Sequence, residues 1–474
     1  PPQHNSFSTR EKGGTTMSIQ RDAPPLPSVD GAPVGTRDKL LGGTLVALFL
    51  ANMLNFFDRA IPSVVAEPIK NEFSLSDLQL GLITSAFTLV YAIAGLPLGR
   101  LADTKNRPKI IGIGLLVWSG LTAATGAAGS YVLFILARLG VGVGEATFTP
   151  AANSMIGDMY PAERRSRALG VFMLGLPIGL MLAYFTVGKI AEAFDSWRAP
   201  FFLAAIPGVL LAVVLYRMAD PIRGGSESPE ACAAAVSQAP ITRPIRRLLA
   251  IPTLRWLILA GLTFNFAAYA VNSFVVPLLM RQYHLKLTAA ASVTGIIVGI
   301  TGLIGLVLGA KYADKASARS PRARLMIGVG TSALAAPLTA LALLQHGGSV
   351  VMFTLLFSAG WLLAYGFYIS VYPAIHDVVV PRLRGTATAL FFAAMYLLGG
   401  FSGPVAVGAI SDWFAKRALA DAGTGKLAQY AGDGLNSAMY LVPIMLALTA
   451  VFIYLATRTV GKDSARMQAE LSQA

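Results

Sequence analysis

Gly99-Arg-Leu-Ala-Asp103-Thr-Lys-Asn-Arg107 stands between two apolar stretches early in the chain, and Gly309-Ala-Lys-Tyr-Ala-Asp314-Lys315 stands between two more in its second half. Other pairs keep the same order. Asp158-Met-Tyr-Pro161, then Arg164, Arg165 and Ala168, is echoed by Asp377-Val-Val-Val-Pro381, then Arg382, Arg384 and Ala387. Val187-Gly-Lys-Ile-Ala-Glu-Ala-Phe194 is echoed by Val407-Gly-Ala-Ile-Ser-Asp-Trp-Phe414. Each match is weak alone. Their shared order and offset make the chain an internal duplication, and halves repeated in this way are a transporter architecture with the substrate site between them.

The 474 residues are 55% hydrophobic and 13% charged. A soluble domain carries about 25% charged residues, so most of this surface must face something other than water. A helix crosses a bilayer with about 20 mainly apolar residues. Candidate spans lie near 40–66, 78–98, 110–128, 131–157, 167–189, 199–218, 253–280, 289–311, 324–344, 350–374, 386–409 and 437–457. The expected fold is therefore an all-α membrane protein of about twelve transmembrane helices in two pseudo-symmetric six-helix halves. The expected organisation is a disordered N-terminus at 1–39, one half at 40–218, a linker at 219–252, the second half at 253–457 and a tail at 458–474. Residues 1–36 are rich in Pro, Gly and Ser and lack an apolar core, which predicts disorder. Met17 is read as the natural start, with Pro1–Thr16 foreign to the native chain.

The net charge of +14 is basic enough to raise nucleic acid as a partner, but in a membrane chain basic residues collect on cytoplasmic loops. Arg100, Lys105, Arg107 and Lys109 follow the second span; Arg164, Arg165 and Arg167 follow the fourth. Arg243, Arg246 and Arg247 lie in the linker, Arg382 and Arg384 after the tenth span, and Arg458, Lys462 and Arg466 after the twelfth. Opposite loops pair their few basic residues with acids, as Glu67, Glu72 and Asp77 do with Lys70. Both termini and the linker are thus expected in the cytoplasm. The bilayer, an amphiphilic small molecule and protons are the expected partners, with no nucleic acid, and the chain is expected to be a monomer. The single cysteine, Cys232, excludes an intramolecular disulfide and a cysteine metal cluster, and no cofactor is expected.

The Gly99–Arg107 loop and its echo resemble the signature loop of the major facilitator superfamily, a likeness covering residues 40–457. Two stretches are narrower. Asn55-Phe-Phe-Asp58-Arg59 in the first span, and Arg138-Leu-Gly-Val-Gly-Val-Gly144-Glu145-Ala146 with Pro150 and Asp158 in the fourth, look like the Spinster branch. That resemblance implies export of lysolipids, including sphingosine-1-phosphate in animals, and a bacterial member in the inner membrane.

Charge inside a membrane is costly and marks function. Asp58 and Arg59 lie inside the first span, Arg138 and Glu145 inside the fourth. Positions 138 and 145 share a helix face, whereas neighbours such as 58 and 59 point about 100° apart. Asp58 and Glu145 are the candidate proton sites. Arg59, with Arg138, is the candidate headgroup ligand, because a guanidinium holds phosphate through two parallel hydrogen bonds. The plainer alternative is a set of ion pairs that locks two helices together. Asn265, Tyr269 and Asn272 form one polar stripe, and Trp361, Tyr365, Tyr368 and Tyr372 one aromatic stripe. They are candidate substrate-binding walls, the alternative being helix packing. Met173, Met395 and Tyr396 are further lining candidates. His376 is a weak proton candidate, and His284 is read as a solvated loop residue.

The superfamily resemblance implies that Asp103 and Asp314 contact the starts of helices of the opposite half, where a carboxylate meets a positive helix N-terminus. Arg107, Arg164 and Arg384 would be added partners in that gate. The second copy lacks the Leu and the trailing Arg. Pro150, Pro177 and Pro207 are expected to kink their helices. No Walker loop, HExxH or G-x-S-x-G occurs, which argues against an enzyme or an ATP-driven pump. The reading is a secondary transporter of a lysolipid or sphingosine-1-phosphate-like amphiphile, proton-coupled, by alternating access. The alternative is a proton-coupled carrier of small organic anions such as sugar acids or aromatic acids. A channel is a structural rival that suits the two latch loops less well.

Overall fold

The computed structural model describes residues 34–224, 226, 243–305, 307 and 320–472, with backbone alone at 34–40 and at Leu96, Asp103, Ala162, Glu163 and Ser166. Residues 1–33, Cys232 and the second loop copy, Gly309–Asp314, lie outside the described residues. The chain divides into Pro1–Gly43, whose described part is helical from Val34, and Thr44–Ala474, which carries the features discussed below.

Among the described residues, twelve helices are long and apolar enough to cross a membrane. They are α1 (Leu41–Val64), α2 (Asp77–Gly95), α3 (Arg107–Gly126), α4 (Tyr131–Met159), α5 (Arg167–Ala193) and α6 (Ala199–Tyr216). The second half repeats them as α7 (Pro252–Gln282), α8 (Leu287–Gly305), α9 (Pro321–Leu343), α10 (Val350–Val378), α11 (Pro381–Ala422) and α12 (Leu427–Ser472). No strand occurs among the described residues. Side chains such as Val132, Leu136, Ile206, Leu210 and Leu355 stand exposed on the outside. An apolar exterior of this kind suits lipid rather than water.

Local chemistry sets the helix ends. Ser76 caps α2 in a capping box: the Gln79 amide donates to Ser76 Oγ (3.2 Å) and the Ser76 amide to Gln79 Oε1 (2.8 Å). Asn106 accepts from the Lys109 amide at the start of α3 (3.0 Å), and Ser130, Ser320 and Ser349 cap α4, α9 and α10. Prolines account for three interruptions. α4 breaks at Thr147, α5 at Leu174 and α12 at Tyr440, each three residues before a proline (Pro150, Pro177, Pro443). A proline has no N–H for the carbonyl four residues back, so the ladder opens there. Pro207, in contrast, lies inside an unbroken α6. Two π-turns, Gly295–Ile300 in α8 and Met395–Gly400 in α11, widen the helices facing the middle of the bundle.

The halves meet along α2 with α11 and α5 with α8. A Cβ built on Gly81 would stand 2.3 Å from the Pro404 carbonyl oxygen, and one on Gly408 equally close to that of Asp77. Only glycine permits that approach. At the same end, Asp412 of α11 accepts from the Asp77 and Leu78 amides at the start of α2 (2.9 and 3.0 Å). This is a carboxylate on a helix N-terminus. Arg281 of α7 bonds Asp77 twice and also pairs with Glu67. Ser411 donates to Asp77 (2.6 Å), and Glu192 accepts from the Thr288 amide (3.0 Å). Beyond α1, Glu72 is bonded by Arg198 and Trp197; the Arg198 guanidinium foremost, then the Trp197 indole, holds its carboxyl below the usual range.

At the opposite end Arg107 is fully buried. Its Nε donates to Asp220 (2.8 Å), Nη1 to Ser154 (2.9 Å) and to Asp158, and Nη2 to the Pro221 carbonyl (2.6 Å). The second half has a counterpart, the ion pair Arg324–Asp377.

Candidate functional site

A cavity of about 970 Å3, counting its open part, lies between the halves. Volumes of this size are usual for small-molecule sites. Both stripes read from the sequence face it: Asn265, Tyr269 and Asn272 from α7, and Trp361, Tyr365 and Tyr368 from α10. So do Arg59 of α1 and Arg138 of α4. All eight candidate substrate ligands thus share one chamber.

The two arginines differ in their partners. Arg59 Nε donates to Glu145 Oε2 at 2.7 Å, and Glu145 is wholly buried behind it. The Arg59 guanidinium also lies over the rings of Tyr91 (4.2 Å), Phe87 (5.1 Å) and Phe56 (5.1 Å). Such contacts hold a cation on aromatic faces. Arg138 covers the Phe87 ring (5.1 Å), is 2% exposed, and its Nε and Nη1 have no hydrogen-bond partner among the described residues. Buried N–H donors without an acceptor are costly even with Glu145 and Asp58 nearby, and an anion that accepted from them would relieve that cost.

Asp58 does not join that pair. Its neighbours include Trp118 and Thr122 of α3, as the angular separation of positions 58 and 59 requires. Asp58 Oδ1, Trp118 Nε1 and Thr122 Oγ1 all lack a good hydrogen bond. Neither Asp58 nor Glu145 lines the cavity. They form a second layer, buried at 2% and 0% exposure. The expected juxtaposition of the 58/59 step with the 138/145 face is therefore present, with Arg59 bonded to Glu145 and Asp58 lying near Glu145 and Arg138 without a hydrogen bond to either.

On the opposite wall the amides are already committed. Asn265 Nδ2 donates to the Met395 carbonyl and Asn272 Nδ2 to that of Ala268, each at 2.8 Å. Tyr184 donates to Asn272 Oδ1 (3.2 Å). Trp361 Nε1 has no partner among the described residues. Tyr396 also lines the cavity. Met395 is buried beside it and is approached by the Tyr372 hydroxyl (3.9 Å). Met173, expected as lining, is 47% exposed and does not reach the cavity. It lies just before the α5 break at Leu174, where the helical phase is interrupted. The sequence reading passed over Thr84 and Phe87 of α2, which line the cavity, and Tyr91 beside them. Their spacing of three and four residues is the signal that marked the other stripes.

Among the gate candidates, Arg107 and Arg384 bond within their own halves. Arg107 is consumed by Asp158, Asp220, Ser154 and Pro221, all preceding the second half. It stitches its own half together and makes no cross-half latch. The second copy does have a trailing arginine: Arg324, at the start of α9, takes the place of Arg107 and pairs with Asp377. Arg164 is exposed and makes no ion pair among the described residues. Arg384 Nε donates to the Val379 carbonyl (3.3 Å), as Arg165 does to that of Tyr160. Both therefore fold their own loop. The Asp103 side chain and all of Asp314 are outside the described residues. His284 is exposed, and His376 Nε2 lies 3.5 Å from the Thr388 hydroxyl.

Residues 48–404 match the family model described as Major Facilitator Superfamily. The chain belongs to the major facilitator superfamily. This facilitator is a multi-pass membrane transporter of Spinster type. It is 31% identical over 369 residues to an MFS-type efflux pump of Mycolicibacterium smegmatis, covering 77% of this chain and 83% of that protein. A sphingosine-1-phosphate transporter of Xenopus tropicalis is 26% identical over 426 residues, covering 86% and 80%. Among solved structures, a bacterial homologue of the human lysosomal transporter Spinster, inward-facing and unoccupied, matches with a TM-score of 0.78 at 28% identity. That match covers 90% of this facilitator and 98% of the homologue.

Proposed function

We propose that this facilitator carries a lysolipid-like amphiphile across a bacterial inner membrane, coupled to protons. The observation that carries the reading is Arg138: two unpartnered N–H groups of a buried guanidinium at a cavity whose far wall is Trp361, Tyr365 and Tyr368. An anionic head would satisfy the guanidinium, and an acyl chain would lie along the aromatic wall. The likeness to a sphingosine-1-phosphate transporter supports the lipid class. A small, polyhydroxylated organic anion is served less well, because the Asn265 and Asn272 amide groups are already bonded within the wall.

Coupling would run through the Arg59–Glu145 bond. A proton on Glu145 frees Arg59 for the head, and a head bound to Arg59 weakens its hold on the Glu145 carboxylate. Proton and anion thus favour each other's binding, as linkage requires. Asp58, beside Glu145 and Arg138, would be the second proton site. By the distribution of basic residues the Arg107 end would be cytoplasmic. The end joined by Asp77 and Arg281 would then be the outer one.

Transport of labelled lysophospholipid by purified protein in liposomes tests the reading. Saturable lysolipid flux, lost in Arg138→Gln protein that remains monodisperse, supports it. Absence of lysolipid flux together with uptake of a small aromatic or sugar acid would overturn the substrate class and leave the fold standing.

A further inference from the structure

The charge lining the cavity is one-sided. Arg59 and Arg138 reach it, and no carboxylate does among the described residues. Glu145 is turned away behind Arg59 with no exposed surface, and Asp58 is 2% exposed in the layer behind. The aromatic faces next to the guanidinium groups are also taken. Arg59 covers Tyr91 and Phe56, and Phe87 is shared by Arg59 and Arg138. Farther along, Tyr269 stands edge-on to Tyr396 (centroids 6.1 Å, 85°) and Tyr368 edge-on to Phe264 (5.2 Å, 83°).

An ammonium carried a few bonds from a phosphate would therefore arrive beside two guanidinium groups. It would find no carboxylate lining the cavity among the described residues to receive it. Like charges brought together in a desolvated site reject the wrong ligand strongly. We propose that the site selects its amphiphile by net head charge. It takes a single-chain lipid whose head is anionic throughout, such as lysophosphatidylglycerol or an alkyl phosphate. It rejects heads that pair phosphate with an ammonium, whether phosphocholine, phosphoethanolamine or a sphingoid-base phosphate. This rests on the lysolipid reading above and narrows it. It sets this facilitator apart from a carrier of sphingosine-1-phosphate, whose ammonium lies close to its phosphate.

Binding of palmitoyl-lysophosphatidylglycerol and palmitoyl-lysophosphatidylcholine, measured by tryptophan fluorescence in one detergent below their micellar concentrations, tests the selection. The expected result is a preference of about tenfold or more for the glycerol head. Ser63, one turn beyond Arg59 and also lining the cavity, offers a second arm. Ser63→Asp places a carboxylate beside the guanidinium and is expected to improve choline-head binding while weakening glycerol-head binding. Equal affinities in the wild type, or a preference for choline, overturn the selection and leave the lysolipid reading intact. Failure of both lipids to bind folded wild type overturns both.

Discussion

Arg281 of α7 grips Asp77 of α2 through two hydrogen bonds of 2.8 Å, Nη1 to Oδ2 and Nη2 to Oδ1, across the seam between the halves. Asp77 is 2% exposed in its side chain and Arg281 10%. The pair is therefore shielded from the solvent that weakens surface ion pairs. Removing one partner leaves the other charge buried alone, which costs about 3–5 kcal/mol. Arg281→Ala is expected to loosen the Asp77 end without unfolding either half. Spin labels at Ser74 and Gly423, in a Cys232→Ala background, should report longer and broader distances in the variant. Unchanged distances would show that the glycine contacts alone hold that end.

Those glycine contacts make their own prediction. Gly81 lies against backbone, where neither partner can swing aside. Gly81→Ala is expected to destabilise by about 1–3 kcal/mol, the usual range for overpacking. Gly120 on α3 has nothing within 4 Å of a built Cβ. Gly120→Ala is therefore expected to be neutral or to stabilise by about 0.5–1 kcal/mol through the helix preference for alanine. Thermal melts of both variants in one detergent check the contrast.

Arg107 ties the start of α3 to α4 and to the segment after α6 through its Nε and both Nη groups. Lysine supplies a single point charge and cannot reproduce that fork. Arg107→Ala is expected to lower stability by about 3–5 kcal/mol, with Arg107→Lys recovering only part of it. Full recovery by lysine would reduce the cluster to simple charge pairing.

Acid should weaken the Glu72 cluster. Arg198 and Trp197 hold the Glu72 carboxyl below its usual range, so its unfolded value is the higher one. The stability it contributes is complete above the ordinary glutamate value of about 4.3 and is lost as pH falls below it, through the folded value. Glu72→Gln protein should be less stable at neutral pH and should lose less on acidification. Parallel melting curves at pH 7 and pH 4 for the two proteins would contradict this.

Much of this was legible in the sequence, for a physical reason. A bilayer demands long apolar helices, so span number follows from hydropathy. α10 places Trp361, Tyr365 and Tyr368 on one face through simple helical spacing, and all three line the cavity. What escaped depended on distance along the chain. Nothing near Arg107 announces Asp220, which arrives from beyond α6. Arg324 was hidden because the residues between Asp314 and α9 shift it out of register with Arg107. Phe87 and Tyr91 carry no charge to draw notice, yet they cradle Arg59. The 138/145 spacing indicated a shared face but could not tell that Glu145 would be taken by Arg59 while Arg138 kept unpartnered donors.

The central claim is that proton and anionic head meet at the Arg59–Glu145 bond. Its most direct test is lysophosphatidylglycerol flux in proteoliposomes with and without an imposed pH gradient, for wild type and for folded Glu145→Gln protein. The account predicts gradient-stimulated flux in the wild type and flux indifferent to the gradient in the variant, with the lipid still bound. Gradient stimulation that survives in Glu145→Gln would contradict it.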